Sequence, residues 1–217
     1  MILYPGDIVL TRSQRLIPRL IRWATRETGE PPTLVNHVAM VSVGGPAIGA
    51  RIIQAVFGGV EECGFVEAFG PGPWPDIAIY RLRSTPGRDL IRAVEAARAE
   101  IGDGYSVVSI ALLGLDALFG HIIRRRVTLL SRLGRVTPLW FCSELIARVY
   151  RKALNYTFGR PSDAVTVPDD TYDWIMAHLY EWACVLPLGT RTLEHDTVFW
   201  AHAGEAVRIV PKKKATR

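Results

Sequence analysis

The chain has 217 residues, with 26 Lys and Arg against 21 Asp and Glu, a net charge of +5 and a sequence pI near 9.3. Hydrophobic residues make up 49% and charged residues 22%, which excludes extended disorder and predicts one domain across residues 1–217 with a full apolar core. The acids are interspersed among the bases, which argues against nucleic acid as a partner, and three cysteines without a CxxC pair indicate neither a disulfide framework nor a zinc cluster.

Residues 1–11 lack the basic flank and apolar stretch of a signal peptide, so a reducing, cytoplasmic setting is expected. Residues 7–11 read as a strand after the Pro5-Gly6 turn. Residues 15–23 read as a helix with Leu16, Leu20 and Trp23 near one face. Residues 34–43 alternate with both faces largely apolar, the pattern of a strand buried on two sides. Gly44, Gly45, Pro46 and Gly49 break that run and residues 51–57 resume it, which predicts an antiparallel hairpin. Further strands are expected over 60–69 and 77–82, with Pro71, Pro73 and Pro75 in the loop between them.

The second half is helical in pattern. Residues 88–101 carry Leu90, Ile91, Val94, Ala97 and Ile101 at helical spacing and stop at Gly102. The apolar run 107–123 is interrupted by Ser109, Gly114, Asp116, Gly120 and His121, too polar for a span of about 20 apolar residues. It reads as a core helix, a lid, or a segment touching an anionic membrane beside Arg124, Arg125 and Arg126. From Cys142, the residues Leu145, Ile146, Val149, Tyr150, Ala153 and Leu154 mark a core-facing helix. A last helix follows Pro168, Asp169 and Asp170 and takes in residues 172–180. A basic tail with Lys212, Lys213 and Lys214 begins near 211, and it suits either anionic head groups or plain solvation.

Two side chains stand out chemically. Cys142 is placed in the first turn of its helix, because Thr137-Pro138 delays the helix start. Backbone N–H groups and the helix dipole there favour a thiolate, which predicts a lowered pKa and a thiol more reactive than Cys63 or Cys184. A buried, inert cysteine is the competing reading. His37 sits in a strand of Val, Ala and Met, as a base or as a core histidine. A turn centred on Gly45-Pro46 would set Gln54 directly opposite His37, with Cβ atoms about 5 Å apart on one face.

The segments Gly6-Asp7-Ile8-Val9, Asn36-His37-Val38-Ala39-Met40-Val41, Ile52-Ile53-Gln54-Ala55 and Phe141-Cys142-Ser143-Glu144-Leu145 resemble motifs of the NlpC/P60 cysteine hydrolases. The Cys-Ser motif comes last, as in the circularly permuted branch of YiiX/YaeF-like proteins and, more distantly, the lecithin:retinol acyltransferases. Val167-Pro168-Asp169-Asp170 is similar to that branch's post-catalytic Pro-x-Asp segment. The resemblance implies an α+β, papain-like fold with an antiparallel sheet packed against a catalytic helix. It implies Cys142 as nucleophile, His37 as base and Gln54 as the residue orienting the base. Tyr105 and Ser143 would sit at the oxyanion or substrate site, with no metal and no cofactor required. His195, Asp196 and His202 have no counterpart and read as ordinary residues.

The expected activity is cleavage of an amide bond, in a peptide or a peptidoglycan-derived substrate, or of an ester, through an acyl-enzyme. From a cytoplasmic location the wall is reached through lysis or a dedicated secretion system. A thiol-dependent acyltransferase or thioesterase acting on lipid or acyl substrates is the alternative. A non-catalytic binding module on the same fold is another.

Overall fold

The computed structural model describes residues 1–13, 34–71, 76–83, 85, 87–104, 141–160 and 166–188. The expected helix at 15–23, the run 107–126, Tyr105, His195, Asp196, His202 and the basic tail lie outside them.

The centre is an antiparallel sheet of six strands, β2 (Ile8–Thr11), β3 (His37–Val43), β5 (Arg51–Val56), β6 (Gly59–Gly64), β7 (Ile77–Leu82) and β8 (Trp182–Leu186). Its spatial order is β6-β5-β3-β2-β7-β8. A two-stranded ribbon pairs β1 (Ile2–Leu3) with β4 (Gly45–Pro46). Four helices complete the described elements: α1 (Phe65–Phe69), α2 (Gly87–Arg98), α3 (Cys142–Leu154) and α4 (Pro168–Ala177). This is a mixed α+β architecture. No helix among the described residues is long and apolar enough to cross a membrane.

The sheet is buried on both faces, as the sequence of β3 requires. On one face Val38, Met40, Ile53 and Ala55 pack with Ala93 and Val94 of α2, Cys142, Leu145, Ile146 and Val149 of α3, and Ile175 of α4. On the other, Ala39, Val41 and Ile52 pack with Phe65 of α1 and with Leu3. Each fully buried Ile, Leu or Val contributes about 1.5–3 kcal/mol, so this two-sided core dominates the stability of the described residues.

Polar contacts fix how β2 meets the helices. Asp7 is 1% exposed and accepts both Arg81 Nε–H (2.7 Å, at Oδ1) and Arg81 Nη2–H (2.8 Å, at Oδ2), while the Tyr4 N–H also reaches Oδ2 (2.8 Å). The Tyr150 hydroxyl of α3 donates to the Gly6 carbonyl at 2.6 Å. Gly6 has φ +87, and a Cβ there would lie 2.9 Å from Leu90 Cδ2, so only glycine suits this crossing. The Gly6-Asp7 pair is thus a structural joint of the fold.

Three expectations need correction. The hairpin does not turn at Gly45-Pro46, because those residues are drawn into pairing with β1, and the turn follows at 47–49 with Gly49 and Ala50 N–H bonding to the Pro46 carbonyl. An irregularity between Val41 and Val43 shifts the register again. The expected strand over 60–69 ends at Gly64: Glu67 Oε2 accepts the Gly64 N–H (3.1 Å) and starts the short helix α1. Strand β8 was not anticipated.

Candidate functional site

Cys142 is the first residue of α3, after Phe141 in extended conformation, so the helix begins where the sequence placed it. The thiol is buried. Burial pushes its pKa up to about 11, and the backbone N–H groups of Val38, Ser143 and Cys142 itself pull the other way. The expected lowering is therefore overturned. The first-turn dipole is worth about 0.3–1 kcal/mol, less than one pKa unit, whereas full burial shifts a group by up to about 3–5 units. The sulfur is also no more acidic than its competitors, since burial raises Cys63 and Cys184 to about 11 as well.

The Val38 N–H belongs to the peptide that follows His37, so the sulfur sits against the backbone of the histidine. The β3–β5 ladder starts only at Ala39↔Gln54, one residue beyond that peptide. His37 opens β3, and its Nε2 lies 2.9 Å from Gln54 Oε1. Gln54 is thus diagonal to His37 across the ladder, because its direct partner is Ala39, and the sequence expectation of a face-to-face pair is off by two residues. The shared face survives a shift of two. Side-chain alternation puts this pair on the Ala39 face, whereas α3 lies on the Val38 face. The hydrogen bonds of His37 and Cys142 run to Gln54 and to backbone N–H groups, not to each other.

Gln54 is itself held. Its Nε2 donates to Glu61 Oε1 at 2.9 Å and to Cys63 Sγ at 3.5 Å. A carboxylate only accepts, so the amide nitrogen turns to Glu61 and the carbonyl to His37. The Nε2–H of His37 must then be the donor, which leaves the lone pair on Nδ1. Burial lowers the His37 pKa, with smaller opposing effects from the Gln54 bond and the Glu61 charge, so the ring is neutral near pH 7. Glu61 is exposed, so its attraction is screened to about 0.2–1 kcal/mol.

Glu61 was not singled out from the sequence, although a signal existed. The tight turn between β5 and β6 pairs Val56 with Gly59, which puts Glu61 directly opposite Gln54. Ser143 is buried and its hydroxyl donates to the Thr166 carbonyl at 2.6 Å, so only its backbone N–H faces the sulfur. Asp169, in the first turn of α4, accepts the Leu34 N–H at 3.1 Å, just before β3. Burial, with Asp173 and Asp170 nearby, pushes its pKa up to about 7. Among the described residues no group of three or more His, Cys, Asp or Glu is arranged to hold a metal ion.

No family model matches the sequence, and no curated protein matches it. Among solved structures, the crystal structure of metalloprotein YiiX from Escherichia coli O157:H7 superposes with a TM-score of 0.55. The match covers 85% of this chain and 97% of that one at 14% identity, so the two share a fold.

Proposed function

We propose that the chain is a thiol hydrolase of the permuted NlpC/P60 type, on a papain-like arrangement, that cleaves an amide or ester through an acyl-enzyme on Cys142. The carrying observation is that the Cys142 sulfur meets the N–H of the His37–Val38 peptide while His37 is bonded through Nε2 to Gln54.

The raised thiol and lowered imidazole favour a neutral resting pair over a preformed thiolate–imidazolium pair. In the reaction, His37 Nδ1 takes the S–H proton as sulfur attacks the carbonyl carbon. The tetrahedral oxyanion is received by N–H groups at the start of α3. His37 then returns the proton to the leaving amine or alcohol, and water resolves the thioester by the same route in reverse.

The test is intact-mass detection of an acyl adduct during turnover of a panel of p-nitrophenyl acyl esters, peptide anilides and muropeptides. The expected adduct maps to Cys142 and is lost in Cys142→Ala and His37→Ala. A folded wild-type protein that forms no adduct and turns over nothing in the panel would overturn the reading and leave a binding module. Preference for long acyl chains, with transfer to an amine or alcohol, would identify the acyltransferase alternative.

A further inference from the structure

Gln54 can orient His37 only if its own two ends are told apart, because the amide carbonyl and NH2 have nearly the same shape and opposite hydrogen-bonding sense. With the carbonyl toward the ring, the neutral imidazole carries its proton on Nε2 and keeps Nδ1 as the base. With the NH2 toward the ring, the proton moves to Nδ1 and the basic nitrogen faces Gln54. Three of the four hydrogen-bonding positions of the buried amide have partners: Oε1 has His37 at 2.9 Å, and both N–H groups of Nε2 are used, toward Glu61 at 2.9 Å and Cys63 at 3.5 Å. Of these, only Glu61 discriminates strongly. A thiol is a weak donor and a weak acceptor and tolerates either end, but a carboxylate tolerates only the NH2.

We infer that Glu61 is a positioning residue, which holds the Gln54 amide in one orientation and thereby keeps the His37 proton on Nε2 and the lone pair on Nδ1. The inference rests on the proposed thiol-hydrolase reading for its functional meaning, but the tautomer is a property of the folded protein and can be read without turnover. Glu61 acts through the hydrogen bond and not through its field, since it is exposed and its charge is screened. Glu61→Gln keeps the size of the side chain and removes the discrimination, because a second amide can accept from Gln54 or donate to it.

The experiment is 15N NMR of protein labelled at histidine, near pH 7.5, with the His37 ring assigned by its loss in His37→Asn. Wild type should show a single neutral form with the proton on Nε2. Glu61→Gln and Glu61→Ala should show a mixture of the two tautomers, with thermal melts near wild type because the residue is at the surface. On any substrate turned over, kcat should fall about two- to tenfold with KM unchanged, the scale expected from one hydrogen bond. A wild-type ring protonated on Nδ1, or a His37 spectrum unmoved in both variants, would overturn the inference, even if kcat fell. A tautomer shift in a protein that hydrolyses nothing would sustain it and count against the catalytic reading alone.

Discussion

If Cys142 rests as a neutral thiol, its chemical reactivity should rise with pH in a way that an ion-paired nucleophile cannot match. The perturbation is alkylation by limiting iodoacetamide, followed by peptide mapping of each cysteine between about pH 5 and pH 10. With a pKa of about 11 against the ordinary 9.0, the thiolate is ~0.1% of Cys142 at pH 8 in the folded protein and ~10% in urea. Folding should therefore slow alkylation about 100-fold, and more once the 1% exposure of the residue is counted. The logarithm of the native rate should climb by about one per pH unit up to pH 10, with the same slope in His37→Ala. Cys63 and Cys184 share the value of about 11 but are half-buried, so they should react before Cys142, the reverse of what the helix start alone predicts. A native rate for Cys142 that is flat between about pH 5 and pH 8, and that becomes pH-dependent in His37→Ala, would show a thiolate–imidazolium pair and refute the reasoning.

Two further outcomes follow from the same geometry. Gln54→Ala should lower kcat by about 10- to 100-fold, or 1.4–2.7 kcal/mol, while the loss of a buried amide and its bonds costs about 1 kcal/mol and a few degrees in Tm. Wild-type kcat in that variant, on a substrate whose acyl adduct maps to Cys142, would move the orienting role to another residue. Asp169→Asn bears on stability. The folded pKa of Asp169, about 7, lies above its ordinary 3.8, so its contribution is fully present below 3.8 and is lost as pH rises through about 7. An amide that still accepts the Leu34 N–H escapes that loss, so denaturant midpoints of the variant should gain on wild type as pH goes from about 5 to about 8. A constant difference across that range would contradict the raised value.

The parts of the site legible in the sequence are those governed by local rules. Alternation placed His37 and Gln54 on one face, and a register error of two residues left that face unchanged because the period of a strand is two. The start of α3 at Cys142 followed from Thr137-Pro138 ahead of it, and its core-facing side from the apolar spacing behind it. What the sequence did not carry depends on distant residues. Gly45 and Pro46 look like a hairpin turn until β1 pairs with them. The acidity of Cys142 looks enhanced until Val38, Leu145 and Ile146 close over it, because burial is a sum over the whole fold. Strand β8 is five residues long and follows a turn at 178–181 without Gly or Pro, so nothing marked its beginning. Glu61 was within reach, since pairing β6 with β5 by its short turn finds it.

The segment 166–170 links the start of α3 to the approach of β3, two places more than one hundred positions apart in the chain. Thr166 supplies the carbonyl that holds the hydroxyl of Ser143, the neighbour of Cys142. Asp169 takes the N–H of Leu34, three residues before His37. Asp170 closes the segment on itself by accepting the Val167 N–H at 2.9 Å, and it pairs with Arg160 just beyond α3. Within five residues, therefore, one strap ties both the start of the cysteine helix and the approach to the histidine strand. The Pro168 ring suits the first turn of α4, where a missing N–H costs nothing and a fixed φ sets the direction of the strap. The Pro-x-Asp pattern is thus accounted for by position alone: the strap joins the helix of Cys142 to the approach of the His37 strand, and no atom of it needs to touch a substrate to do so.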